Sequence, residues 1–297
     1  MMQFLLAFGL AALAAAPPNP AQQTSSRPLG TDARTRDIYV SVLDKEKPVT
    51  GLTADDFTVR EDGVAREVLK AAPATDPMQI VVLVDDSQAA EPSIARMREG
   101  LTAFVDKLKD RAEIGIVTVG ERATSLVPGT TDTAALKKAV NRIFSRPGSG
   151  AYLLDGIMEV SRGLEKREAA RPVIVAISME GVEFSNLHYQ NVLKQLETSG
   201  AALHVLSVGT PASSLNDEMR NRNIVIADGT KTTGGRRDQV MEPSFLTEAI
   251  PRVADELLNQ YVVTYGRAEA LIPPEKIQVT VSRPGVTVRA RTKVTGR

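Results

Sequence analysis

At 297 residues and 42% hydrophobic content, the chain can bury a core and accommodate one large domain beside a small one. Lysine plus arginine equals aspartate plus glutamate at 36 each, so there is none of the clustered basic excess that nucleic acid requires of a partner. There is no cysteine, which excludes disulfides, thiolate metal sites and a cysteine-linked lipid anchor.

Residues 1–22 read as an export signal, because the apolar run from Phe4 to Ala16 stops well short of the roughly 20 residues that span a bilayer. A disordered apolar N-terminus is the alternative. Cleavage would leave a secreted or periplasmic protein with no membrane span. Residues 23–36 are rich in Pro, Gln, Ser and Thr and read as a linker. Residues 37–74 form an N-terminal β segment: Ile38, Val40 and Val42 alternate along a strand, and Phe57 to Arg60 and Val64 to Val68 flank an Asp62-Gly63 turn.

Residues 75–260 alternate short β-branched runs with helical stretches, the pattern of a mostly parallel sheet covered on both faces. Strands are expected at Gln79 to Val84, Glu113 to Val119, Pro172 to Ser178, Ala202 to Val208 and Asn223 to Ile226. Helices are expected over Ile94 to Leu108, Asp132 to Phe144, Ala151 to Leu164, Leu187 to Thr198 and Leu246 to Leu258. The polar stretch Thr210 to Glu242 reads as the most mobile part of this region. Residues 261–297 return to strands, with Ile277 to Val281 and Val286 to Ala290 read as a hairpin about Arg283-Pro284-Gly285. The two terminal β segments cannot bury a face alone, so they are expected to pack into a small β unit. The fold class is therefore α/β, a doubly wound sheet with that β unit attached.

Open parallel sheets bind ligands beyond the carboxyl ends of their strands, where the strand order reverses. Two loops at such ends carry carboxylates: Asp85-Asp86-Ser87-Gln88-Ala89 after Val84, and Met179-Glu180-Gly181-Val182-Glu183 after Ser178. Parallel strands would set Asp85 and Glu180 side by side there.

These residues resemble the von Willebrand factor A family, whose metal-ion-dependent adhesion site takes an Asp-x-Ser-x-Ser loop, a Thr from a second loop and an Asp from a third. Asp85 and Ser87 match the first two positions, whereas Ala89 replaces the second Ser. Ala151 stands where the Thr is expected in Ser149-Gly150-Ala151-Tyr152, and Glu180 stands in place of the Asp. The resemblance implies a degenerate metal site of Asp85, Ser87 and Glu180, with no cofactor beyond weakly held Mg2+, since that ion demands near-octahedral oxygen coordination. Residues Val40 to Val68, Ala254 to Tyr261 and Arg283 to Arg291 also look like acidobacterial von Willebrand factor A-related proteins.

Smaller signals add no catalytic chemistry. Ser87 lies in no Gly-x-Ser-x-Gly elbow, Gly148-Ser149-Gly150 lacks the rest of a phosphate loop, and His188 and His204 fall on different elements. Thr233-Gly234-Gly235-Arg236-Arg237 reads as a turn, with an anion-binding loop as its alternative. The resulting expectation is a bacterial, exported, non-catalytic module that binds a protein partner through the Asp85, Gly150 and Glu180 loops. The rival is a structural scaffold presenting the β unit or the 210–242 loop to an envelope assembly.

Overall fold

The computed structural model describes residues 33–213, 215–268 and 273–294; the expected export signal and the linker up to residue 32 lie outside them. The chain opens with β1 (Ala33–Asp44), β2 (Lys47–Pro48), β3 (Phe57–Glu61), β4 (Val64–Arg66) and β5 (Val68–Pro73). The α/β portion runs β6 (Met78–Val84), α1 (Ile94–Leu108), β7 (Ala112–Thr118), β8 (Thr124–Thr130), α2 (Thr133–Val140), α3 (Leu153–Lys166), β9 (Pro172–Met179), α4 (Tyr189–Ser199), β10 (Ala202–Val208), α5 (Asp217–Thr233), β11 (Arg237–Val240) and α6 (Leu246–Leu258). Strands β12 (Tyr261–Ala268), β13 (Ile277–Val281) and β14 (Thr287–Ala290) complete it.

The central sheet has the order β11-β10-β9-β6-β7-β8, parallel throughout except for β8 against β7. The chain starts at β6, builds outward through β7 and β8, then returns to the other side of β6 with β9. The reversal therefore falls between β6 and β9. Strand β6 is apolar on both faces because both are covered. Ile80, Val82 and Val84 belong to the core that includes Phe104, Leu136 and Ile250 of α1, α2 and α6, while Leu83 belongs to the core that includes Ile157, Leu196 and Val225 of α3, α4 and α5. Each such buried side chain contributes about 1.5–3 kcal/mol.

The terminal segments form two antiparallel sheets, β14-β1-β12-β5 with β2 on β1, and β13-β3-β4. They share a core that includes Val40, Phe57, Val59, Tyr261, Val263 and Ile277. One buried carboxylate ties them together: Glu61 of β3 accepts from the Tyr265 hydroxyl at 2.7 Å, Arg267 Nε at 2.8 Å and Arg66 Nε at 3.0 Å. Burial pushes the Glu61 pKa up, but the bonds from Arg267 and Tyr265 outweigh it and hold the carboxyl below its ordinary value.

Three sequence expectations need correction, and one strand stands where none is expected. Asn223 to Ile226 is not a strand but the middle of α5, and Thr210 to Glu242 is not a loop but chiefly α5 and β11. Asn216 caps α5 by accepting from the Met219 amide at 2.9 Å, and Gly234 ends it at φ +77°, a left-handed position that glycine suits. A scaffold reading that presents a 210–242 loop thus loses its loop. The C-terminal hairpin is also absent as such: β13 pairs with β3 and β14 with β1, so the two strands enter different sheets. Finally, β8 went unexpected; its Pro128 and Gly129 suggest a turn, yet an edge strand tolerates proline because one side needs no ladder bond.

Candidate functional site at the carboxyl edge of the sheet

The loop after β6 enters the reversal of the sheet with Asp85, Asp86 and Ser87 all buried. Asp85 Oδ1 accepts from the Ser87 amide at 3.0 Å and Oδ2 from the Met179 amide at 2.9 Å, so its carboxylate stitches this loop to the end of β9. Burial raises its pKa, the bonds from Ser87 and Met179 oppose the rise, and the neighbouring Asp86 charge adds to it.

Asp86 serves two other loops. Its Oδ1 accepts from the Gly120 amide at 2.6 Å, and its Oδ2 pairs with Arg146 Nε at 2.8 Å. The approach of Gly120 is close enough that a Cβ there would stand 2.8 Å from the Asp86 carbonyl carbon, so the position requires glycine.

Glu180, the third expected ligand, faces a buried cation. Arg222 of α5 donates from Nη2 to Glu180 Oε2 at 3.1 Å and from Nη1 to the Gly181 carbonyl at 3.2 Å. The structure thus brings Asp85 and Ser87 together on one loop and gives Glu180 a separate partner. Ala89 and Ala151 contribute no oxygen, and among the described residues no group of three or more His, Cys, Asp or Glu is placed to hold a metal ion. His204 is fully buried, accepting from the Arg236 amide through Nδ1 at 3.2 Å, and its pKa is lowered by burial.

Sequence reading gave little weight to Glu183. Helix α3 has no capping side chain at Tyr152, and the 183–185 segment supplies caps from across the edge. Glu183 Oε1 accepts from the Leu153 amide at 3.1 Å, and Ser185 Oγ accepts from the Asp155 amide at 3.2 Å. Burial pushes the Glu183 carboxyl up to about 7, against the opposing bonds from Ser185, and its Oε2 has no partner among the described residues. A raised acid pKa means that the folded protein retains a proton the unfolded chain has lost, so this stability is full below the ordinary carboxylate pKa and disappears as pH rises through about 7. Glu183→Gln is expected to abolish that loss, worth about 3 kcal/mol between pH 5 and pH 8. Urea unfolding of both proteins at the two pH values checks this, and an unchanged pH dependence would refute it.

With the charged groups tied into caps and loop clamps, the edge presents apolar side chains to solvent. Of the seven large hydrophobic residues that are exposed among the described residues, Val182 and Phe184 follow β9, Met241 follows β11, Phe245 ends the short 3-10 turn before α6, and Phe144 lies in the connection from α2 to α3 whose Arg146 pairs with Asp86. Phe184 packs over Gly150 and lies 5.8 Å from the Tyr152 ring, and Arg98 sits 4.2 Å above the Phe144 ring.

Residues 80–180 match the von Willebrand factor type A domain. A UPF0353 protein from Mycolicibacterium paratuberculosis is 24% identical over 168 residues, covering 52% of this chain and 50% of its own; the chain thus spans about half the length of that relative. The fold is similar to a von Willebrand factor type A protein from Catenulispora acidiphila (TM-score 0.50, 12% identity, 90% of this chain and 78% of that one). It is also similar to proximal thread matrix protein 1 of the mussel byssus (TM-score 0.52, 16% identity, 67% of this chain and 50% of that one). A further structure of the mussel protein has a zinc-occupied metal-ion-dependent adhesion site (TM-score 0.50, 16% identity, 68% of this chain and 50% of that one).

Proposed function

We propose that this chain, whose residues 80–180 match the von Willebrand factor type A domain, is a non-catalytic interaction module gripping a protein partner through the carboxyl edge of its six-stranded sheet. The observation that carries this reading is the concentration of exposed Phe144, Val182, Phe184, Met241 and Phe245 on that one edge. Large apolar side chains left exposed on a folded protein point to a docking role, and aromatic anchors supply most of the energy at such faces. A photoreactive phenylalanine analogue placed at Phe184 is expected to cross-link a partner that the same analogue at Leu69, exposed on β5, does not capture. Equal cross-linking from both positions would overturn the reading.

In the same reading, Asp85, Ser87 and Glu180 hold Mg2+ weakly or not at all. Asp85 already serves two backbone amides, Glu180 is paired with Arg222, and Ala89 and Ala151 offer no ligand atom. A reluctantly dehydrating cation would retain mostly water in such a site. Millimolar Mg2+, Mn2+ or Ca2+ is expected to leave the Tm within about 1 °C, whereas a rise of several degrees would establish a real ion site.

The protein acts outside the cytoplasm in this account, secreted or periplasmic. The apolar run Phe4 to Ala16 supports export, and among the described residues no helix is long and apolar enough to cross a membrane. N-terminal sequencing of protein recovered from outside the cytoplasm should begin downstream of Ala16; an intact Met1 would contradict it.

A further inference from the structure

At the opposite, amino edge of the sheet, a cavity of about 240 Å³ opens between the starts of β9 and β10, the end of α5 and the sheet containing β1 and β12. Its walls are unusually cationic for a chain of zero net charge: Arg36, Arg171, Arg267, Arg291 and Lys293 line it against the single lining carboxylate of Asp37. Arg267 is paired with Glu61, and Lys293 with Glu197 at 2.9 Å. The other three guanidiniums have no carboxylate bonded to them among the described residues.

Two of those three already perform structural work, which sets what remains for a ligand. Arg171 donates from Nη2 to the Leu257 carbonyl at 2.8 Å and to Gln260 Oε1 at 2.7 Å, and Arg291 donates from Nη2 to the Gly200 carbonyl at 2.6 Å. Both thus serve the C-terminal ends of helices, α6 and α4, where cations are favoured. The structural bonds do not use every donor. Arg171 is 2% exposed, and its Nε is buried with no partner among the described residues; the Nε of Arg36 is in the same condition. A buried donor without an acceptor costs free energy. Burial holds the Arg171 and Arg291 pKa values below the ordinary guanidinium value, against the opposing charges of Asp76 near Arg171 and Glu197 near Arg291. Asp76 faces Arg171 but is engaged by the Tyr39 hydroxyl at 2.9 Å, and Tyr39 itself carries the Arg171 guanidinium 4.8 Å above its ring.

We infer that this cavity is a binding site for a small oxyanion, a phosphate or carboxylate group held by Arg36, Arg171 and Arg291. Guanidinium forks match such groups in shape and charge, and a cavity of about 240 Å³ has room for a small anion. The site is independent of the partner-binding edge, so either can fail without the other.

The test is thermal unfolding of the full chain with inorganic phosphate, sulfate or succinate, each against sodium chloride of matched ionic strength. The wild-type Tm is expected to rise with at least one of these anions beyond its chloride control, and the responding anion identifies the oxyanion preferred. Arg36→Gln, at a partly exposed strand position whose side chain donates only to the neighbouring Thr35 carbonyl, is expected to weaken the apparent affinity roughly tenfold. Arg291→Lys, which retains a donor for Gly200, is expected to weaken it as well. Absence of any anion-specific rise in the wild type, or an undiminished response in both variants, would overturn the inference.

Discussion

Replacing Glu256 by alanine is expected to lower stability by about 3–5 kcal/mol, the cost of breaking a buried ion pair from one side. Glu256 on α6 is 2% exposed, and its Oε2 accepts from Arg236 Nη1 at 3.1 Å and from Arg289 Nη1 at 3.0 Å. Arg236, itself 1% exposed, begins the turn into β11 and also pairs with Asp238 and Glu46; Arg289 lies on β14. A single carboxylate thus joins the α/β portion to the terminal β sheet. Its removal leaves the buried Arg236 with only Asp238 and Glu46, and deprives Arg289 of its carboxylate. Burial pushes the Glu256 pKa up, but the charges of His204, Arg289 and Arg236 outweigh it and hold the carboxyl below its ordinary value. A depressed acid pKa contributes stability that is present above the unfolded-state value and is lost as the solution is acidified through the folded one. Urea unfolding at neutral pH measures the cost, and a loss below about 1 kcal/mol would show that the cluster is ornamental.

That cluster also shows where sequence reading stops. The parallel core strands were legible because continuous Val, Ile and Leu runs such as Met78 to Val84 have no other economical use than burial on two faces. The terminal β unit was legible for the complementary reason, that neither end segment buries a face alone. Helix α5 was not legible. Its buried positions Arg222, Val225, Ile226, Gly229, Thr230 and Thr233 follow helical spacing, but only two of them are large and apolar. Gly229 is small because Leu203 approaches it, a reason visible only in three dimensions. The separate fates of β13 and β14 were hidden likewise, since strand partners are chosen by the tertiary core and not by the turn between them.

At the candidate site, the positions of Asp85, Ser87 and Glu180 on neighbouring loops followed from the motif, whereas their partners did not. Arg222 lies 42 residues beyond Glu180 on a helix that the sequence concealed. Glu183 was within view as a carboxylate, yet its capping of α3 depends on the 183–185 segment meeting Leu153 and Asp155 across the edge. The apolar rim was missed for a simpler cause: Phe144, Phe184 and Phe245 are isolated in sequence, and their exposure appears only once the chain is folded.

Truncating that rim should have the second large effect. Aromatic residues at the centre of an interface commonly contribute about 2 kcal/mol or more each, so Phe144→Ala combined with Phe184→Ala is expected to weaken partner binding at least about a hundredfold. Both side chains are largely exposed, so the fold should survive the change at a cost of about 1–2 kcal/mol for the Tyr152 and Arg98 contacts they give up. Loss of binding with retained stability separates a docking role from a structural one.

The decisive measurement is the dissociation constant for the partner identified by cross-linking, determined for the wild type, for Phe144→Ala with Phe184→Ala, and for Val64→Ala with Leu69→Ala on the terminal β unit. Binding lost in the first variant and unchanged in the second is the predicted result. Binding lost only in the second would place the partner on the β unit and contradict the account.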